Sequence, residues 1–324
     1  MNLQQIRYLH AIRASNLNIS QAAERLHTSQ PGISRQVRSL EDELGVEIFE
    51  RAGKQLARIT SVGERIFEHV DRILNGVASI RAEAQEEKLP DRGVLSVATT
   101  HTQARYVLPA IINDFKTQFP HVQVHLHQGS PAQIADMLKG ARVDIGIATE
   151  SMELFDDFVM MPCYHWNRCV VAPEGHPLTR EPLISLDQIV DYPLLTYVFG
   201  FTGRSPLDRA FAEAGLTPRV VFSATDADVI KTYVKLGLGI GIIARVAFDP
   251  AIDGGLRRID ASHLFERGVI KLGVRRGFFL KRFHYAFIER FAPHLGESVV
   301  RQALGAMHAA QRKWLFIDET LPVM

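Results

Sequence analysis

The strongest constraint in this chain is the proline-free stretch from Thr60 to Glu87, which carries an apolar seam at Val62, Ile66, Val70, Ile73, Val77, Ile80 and Ala84. The steps are 4, 4, 3, 4, 3 and 4 residues, near the period of two helices packed along one another. The stretch predicts one long helix whose stripe faces a second helix. Thr60 or Ser61 can cap its start, Ser61 with Glu64 matches a reciprocal capping box, and Gly63 and Gly76 weaken it locally. Lys88-Leu89-Pro90-Asp91-Arg92-Gly93 then supplies a helix breaker and turn residues, so the chain divides there.

Ahead of this helix the segments are short and amphipathic. Asn18 or Ser20 can cap a helix running to Leu26, and His27-Thr28-Ser29 makes a tight turn. Ser29 can cap a second helix that tolerates Pro31 in its first turn. Ile33, Val37, Leu40 and Leu44 share one face of that second helix, opposite Gln30, Ser34, Arg35 and Arg38. An amide, a hydroxyl and guanidinium groups near the start of such a helix suit entry into a DNA major groove, where Arg reads guanine and Gln adenine. Val46 to Phe49 and Gln55 to Ile59 then read as two short strands, a wing whose basic turn at Arg51, Gly53 and Lys54 suits phosphate contact.

Beyond Gly93 apolar strands alternate with amphipathic helices. Strands are expected at 94–99, 122–127, 144–149, 169–172, 194–197, 220–223, 240–244 and 270–274. Helices are expected at 104–119, 131–139, 205–214 and 227–236, and another at 296–314. The alternation implies an α/β fold of mainly parallel sheets with ligand at the carboxyl ends of strands. Thr100-His101-Thr102-Gln103 joins a strand end to a helix start, an arrangement of hydroxyls, amide and backbone N–H groups that favours an anion without a formal cation. Thr149-Glu150 and Phe199-Gly200-Phe201-Thr202-Gly203-Arg204 add polar groups expected in the same cleft.

The 324 residues carry a net charge of +1, which taken evenly argues against nucleic acid. The charge is not even, because Glu41, Asp42, Glu43, Glu47 and Glu50 follow the basic recognition surface as an acidic back. Two cysteines, Cys163 and Cys169, are too few for a disulfide framework and read as reduced thiols. No apolar run is long enough for a membrane span, and Arg7, His10 and Arg13 interrupt any leader, so a cytoplasmic chain without membrane contact is expected.

Ala22-Ala23-Glu24-Arg25-Leu26, Ser29-Gln30-Pro31, Ser34-Arg35-Gln36, Leu40-Glu41 and Leu44-Gly45-Val46-x-x-Phe49-x-Arg51 resemble the winged helix-turn-helix of LysR-type transcriptional regulators. Ser61-Val62 stands where many relatives have Pro-Ala. Within that family the resemblance narrows to the CysB/Cbl group. It is carried by residues 99–106, 162–169, 199–204 and 224–234, and extends to about Leu295.

The resemblance implies an all-α winged helix-turn-helix domain (1–60), a dimerisation linker helix (61–92) and an α/β effector region (93–324). That region would be two-lobed and like periplasmic binding proteins, with lobes 93–162 plus 266–295 and 163–265. DNA contact is expected from Thr28, Ser29, Gln30, Pro31, Ser34, Arg35, Arg38, Arg51 and Lys54. Thr100, Thr102, Gln103, Thr149 and Thr202, with Gly203 beside it, would hold the anionic end of an effector, with Trp166 as a wall and Glu150 and Asp226 at a polar or cationic end. The implied effector is acetylserine or a sulfur anion (sulfate, thiosulfate or adenosine phosphosulfate), and no other cofactor or metal is expected. Promoter DNA, RNA polymerase and a tetramer of paired dimers complete the expected partners.

Other signals are weaker. Gly237-Leu238-Gly239-Ile240-Gly241 enters a strand where a dinucleotide fingerprint would leave one. His121, His125 and His127 have no cysteine or carboxylate nearby to complete a metal site. Cys163 and Cys169 read as packing rather than a redox switch. A solute-binding protein shares the two-lobed fold but not the helical front, and an enzyme is opposed by the absence of a Ser/His/Asp order or nucleophile elbow.

Overall fold

The computed structural model describes residues 1–53, 55–88, 91–149, 155, 158–198, 204–306, 316 and 321–323. They form two compact units, one built on residues 1–88 and one on residues 89–324 apart from 277–279.

In the first unit α1 (Leu3–Ala14), α2 (Ile19–Arg25) and α3 (Gln30–Leu44) precede the strands β1 (Phe49–Ala52) and β2 (Gln55–Ile59) and the long α4 (Ser61–Lys88). Asn18 caps α2 and Ser29 caps α3, whose first turn contains Pro31. The cap of α4 is Thr60, whose hydroxyl accepts the Gly63 N–H at 2.9 Å and donates to the Glu47 carbonyl at 2.7 Å. A Cβ on Gly63 would lie 2.3 Å from the Ile48 carbonyl oxygen, so glycine here lets the helix approach the wing backbone. The first wing strand starts at Phe49, not Val46, because the Ile48 and Phe49 N–H groups bond to Glu41 rather than to a partner strand.

One core holds this unit together. Leu9 and Ile12 of α1, Ile33, Val37 and Leu40 of α3, and Phe49 pack with Phe67 and Val70 of α4, and Phe49 meets Phe67 edge-on at 5.9 Å. The start of α4 therefore belongs to the winged domain's core. Farther along, the seam faces outward, with Ile73 39% and Ile80 69% exposed.

The second unit contains two five-stranded sheets. The first lobe supplies β3 (Gly93–Thr99), α5 (Leu108–Gln118), β4 (Val122–Gln128), α6 (Pro131–Lys139), β5 (Ile145–Ala148) and β6 (Phe158–Trp166). The second supplies β7 (Arg168–Pro173), α7 (Leu186–Val190), β8 (Leu194–Tyr197), α8 (Arg204–Glu213), β9 (Val220–Ala224), α9 (Ala227–Lys235), β10 (Ile240–Ala244) and β11 (Leu256–Asp260). The chain then returns to the first lobe with β12 (Gly268–Arg275), α10 (Arg282–Phe291) and α11 (Glu297–Gly305). Strand order is β4-β3-β5-β12-β6 in one sheet and β11-β7-β10-β8-β9 in the other.

Both sheets are mixed rather than mainly parallel. In each, parallel βαβ units are flanked by antiparallel strands, β12 and β6 in the first lobe and β7 and β11 in the second. Two strands were not expected: β11 is a sheet edge with polar positions, and β6 opens on the apolar Phe158-Val159-Met160-Met161 but contains Pro162, which a sheet edge tolerates. The first lobe continues along β6 past 162 to Trp166, because β6 pairs with β12 over its whole length. The last helix ends at Gly305 and Ala306 is extended, so it stops short of the expected 314; residues 307–314 lie outside the described residues. Gly239, from the discounted glycine run, has φ +152° with the Pro193 carbonyl oxygen 2.0 Å from a built Cβ, a strand-entry constraint.

Pairing through the exposed stripe of α4 should fail when charge is placed on it. Ile73→Asp with Ile80→Asp is expected to leave each unit folded and lower the assembled mass by light scattering, since each buried isoleucine contributes about 1.5–3 kcal/mol. An unchanged mass would show that the stripe is not the interface.

Candidate functional site

At the amino-terminal unit α3 presents an uncovered polar edge. Thr28, Ser29, Gln30, Pro31, Arg35 and Arg38 are exposed and Ser34 is half-buried. Gln30 Nε2 donates to Ser34 Oγ at 3.2 Å, which orients the amide along the helix edge. These side chains keep free donors and acceptors while Ile33, Val37 and Leu40 anchor the opposite face. Lys54 lies outside the described residues.

Two expectations change here. Leu44 is 41% exposed and Glu41 is buried in its place, so Glu41 is not part of the solvated acidic back. Its Oε1 accepts the N–H groups of Ile48 at 2.9 Å and Phe49 at 3.1 Å, and its Oε2 takes the Arg51 guanidinium. Arg51 therefore points into this pair, whereas the expectation placed it on phosphate. Among the other acids, Glu50 pairs with Arg58 at 2.7 Å, and the hydrogen bond from Arg58 holds its carboxyl below the usual range.

In the second unit β3 ends at Thr99, Thr100 follows it, and Thr102 leads into a π-helical turn over Gln103–Val107 that continues as α5. Such turns insert an extra residue and re-aim side chains, often at functional sites. Thr100, Thr102 and Gln103 are buried, as are Thr149 after β5 and Trp166 at the end of β6. Trp166 Nε1 donates to Thr149 Oγ1 at 2.7 Å, and Gln103 Oε1 accepts the Tyr164 hydroxyl. Arg168 lies 4.6 Å over the Trp166 ring. Thr99 Oγ1 is buried without a hydrogen-bond partner among the described residues. Thus the structure brings Thr100, Thr102, Gln103, Thr149 and Trp166 to the carboxyl ends of β3, β5 and β6. Glu150, Thr202 and Gly203 lie outside the described residues. Asp226 caps α9 by accepting the Val229 N–H at 2.9 Å, so that oxygen has a structural use.

Several site neighbours carry no clear sequence signal. Tyr197, buried at the end of β8, accepts the Ala244 N–H at 3.2 Å and has Thr102 of the other lobe beside it. Burial pushes its hydroxyl up to about 12, partly opposed by those two neighbours. Tyr106, on the π turn, donates to Asp228 at 2.5 Å and accepts from Lys231 at 3.0 Å. Burial and the Asp228 bond push the Tyr106 hydroxyl up. Burial also opposes the Asp228 carboxylate, but Tyr106 and Lys231 outweigh it and hold the carboxyl below its usual range. Lys231, 3% exposed, completes its shell with the Ala247 carbonyl at 2.8 Å and Asp253 at 2.9 Å. A signal for it existed, because Lys231 falls on the apolar face of α9 with Ala227, Ile230 and Val234.

Cys163 and Cys169 are free and buried, and burial pushes the Cys169 thiol up to about 12 and Cys163 up as well. That suppresses thiolate chemistry. His121, His125 and His127 are exposed, the last two on the edge strand β4. No helix of the described residues is long and apolar enough to cross a membrane.

A winged helix-turn-helix joined to a two-lobed α/β unit with buried polar groups between its lobes defines a ligand-responsive DNA-binding regulator. Residues 3–64 match the model for bacterial regulatory helix-turn-helix proteins of the lysR family, and residues 89–296 match the LysR substrate binding domain. The chain belongs to the LysR family of transcriptional regulators. It is 51% identical over 303 residues to the transcriptional regulator CysB of Haemophilus influenzae, covering 94% of each chain. It is 47% identical to SsuR of Burkholderia cenocepacia, over 93% of this chain and 97% of that one. It is 41% identical to the regulator cbl of Escherichia coli, over 94% and 96%. Among solved structures, the cofactor-binding domain of the Cbl regulator superposes with a TM-score of 0.63 at 42% identity, covering 66% of this chain and 95% of that one. Full-length OxyR from Pseudomonas aeruginosa matches with a TM-score of 0.63 at 27% identity, over 91% and 94%. These relatives are regulators, and the chain is a regulator rather than an enzyme.

Two outcomes follow from this geometry. Arg35→Ala or Gln30→Ala should weaken binding to a duplex selected by the protein from a random library by about 1–3 kcal/mol. Binding to scrambled duplex should fall less; equal losses on both in a titration would remove the base-reading role. Lys231→Met should cost the second unit about 3–5 kcal/mol in urea denaturation followed by tryptophan fluorescence, because Asp253 is left buried without its cation. Replacing Asp253 by Leu in the same chain should recover only part of that loss, since the Ala247 carbonyl and the Asp249 N–H then lose their partners.

Proposed function

We propose that the protein regulates transcription of genes for sulfur assimilation and cysteine biosynthesis in response to a small anionic effector. The observation that carries this reading is the cluster of buried, uncharged donors where β3 meets the helical segment from Gln103 to Gln118. Thr99, Thr100, Thr102, Gln103 and Thr149 are all buried there, and Thr99 Oγ1 has no partner among the described residues. Hydroxyls and an amide at a helix start bind a carboxylate or sulfate through the backbone dipole and hydrogen bonds, without a formal cation. Similarity to CysB, SsuR and cbl places the chain among regulators; acetylserine, sulfate, thiosulfate or adenosine phosphosulfate is the ligand class that the resemblance of residues 99–106, 162–169, 199–204 and 224–234 to the CysB/Cbl group implies. Thr202 and Gly203 complete the site in this reading, with Trp166 as its wall and Glu150 or Asp226 toward a cationic end.

The response is a population shift between lobe arrangements, which requires the effector to bind one arrangement better than another. The contacts Thr102 to Tyr197 and Tyr106 to Asp228 span the two lobes, so groups adjoining the site also touch the opposite lobe. The assembly is a tetramer of paired dimers in the cytoplasm, bound to promoter DNA and altering recruitment of RNA polymerase.

Calorimetry with acetylserines, sulfate, thiosulfate and adenosine phosphosulfate tests the reading directly. Thr100→Val should weaken binding of the active ligand about tenfold or more, the effect of removing one hydrogen bond to a charged group, with DNA affinity in the ligand-free protein unchanged. Equal binding by Thr100→Val, or no binding of any of these anions by the parent, would refute it.

A further inference from the structure

Beside the shared core, a buried carboxylate ties the wing to the recognition helix. Glu41 sits near the end of α3 and is 6% exposed. Both of its oxygens are committed, one to the N–H groups of Ile48 and Phe49 and the other to Arg51. Those N–H groups open β1, and the side chains of Ile48 and Phe49 are fully buried, so water cannot replace the acceptor. The β1–β2 ladder shifts register between Glu50 and Arg51. Such an irregularity re-aims a side chain, and here Arg51 turns toward α3. Glu50, its neighbour, points outward to Arg58.

We infer that Glu41 and Arg51 form a clamp that positions the wing against the recognition helix, and that Arg51 acts on DNA through this clamp rather than by contacting phosphate. The buried anion needs its cation, because an unpaired carboxylate at this depth is strongly unfavourable. The arginine is thereby held away from the counterion exchange that phosphate contacts produce. Glu41 and Arg51 are positioning residues: their contribution is the fixed angle between α3 and β1, which lets base-reading and backbone contacts form in the same complex. The inference rests on the DNA-binding reading, which binding of the parent protein to its duplex tests separately.

The experiment uses the full-length protein and a duplex it selects from a random-sequence library, with affinity measured across a series of salt concentrations. A phosphate contact contributes about 0.9 to the slope of log affinity against log salt. Arg51→Met is expected to weaken binding about tenfold, in proportion to one charge-assisted hydrogen bond, while the salt slope stays that of the parent. Glu41→Gln should give a similar loss, with footprinting protection reduced on the wing's flank and retained under the recognition helix. The double variant should bind no worse than the weaker single variant, since both act on one clamp. A slope reduced by about 0.9 in Arg51→Met, or parental affinity in Glu41→Gln, would overturn the proposal. Should either single variant fail to fold, the double variant Glu41→Gln with Arg51→Met, which leaves no charge buried without a partner, supplies the salt slope that decides the matter.

Discussion

The buried ammonium of Lys231 organises the ligand-binding unit. It is surrounded by Asp253, the Ala247 carbonyl and Tyr106, with Asp228 at 3.3 Å. An ammonium taken out of water must have its donors met in full, so its partners have little freedom of placement. Asp253 in turn accepts the Asp249 N–H at 2.9 Å, which fixes the loop before β11. Tyr106 ties the same node to the first lobe. One desolvated charge thereby sets the lobe-to-lobe contact beside the π turn that carries Gln103.

The winged unit uses the same device with the opposite sign. Glu41 is a buried anion whose partners are two strand N–H groups and a guanidinium. In both units an amphipathic helix gives one position of its buried face to a charge, and that charge gathers backbone groups from a following segment. An apolar side chain at either place would leave those N–H or carbonyl groups without partners, at about 1–3 kcal/mol each. Position, more than added stability, is what such a charge supplies, since buried pairs often contribute little net free energy.

Much of the fold was legible in the chain because its causes are local. Asn18, Ser29 and the proline at 31 set the helix starts. The break after Lys88 coincides with the boundary between the units. The threonines and Gln103 of the candidate site stood out because polar residues followed an apolar strand directly. Strands β6 and β11 were not read from the chain, since Pro162 and His165 interrupt one and the other, Leu256-Arg257-Arg258-Ile259-Asp260, has only two apolar positions and no alternation. Leu44 and Glu41 were exchanged for a related reason: periodicity assigns charged residues to solvent, and it has no way to register a partner from another segment.

What the sequence determined by itself was the starts of α2 and α3, the break after Lys88, the regular seam of α4 and the polar edge of α3, all of which depend on residues within a few turns of one another. The tertiary structure decided which charges are buried, which hydroxyls meet, and how β12 returns to complete the first sheet. Tyr106 and Asp228 stand 122 residues apart and Lys231 and Tyr106 125 apart. Whether such groups are solvated or paired depends on the dielectric environment and donor geometry that only the packed chain creates.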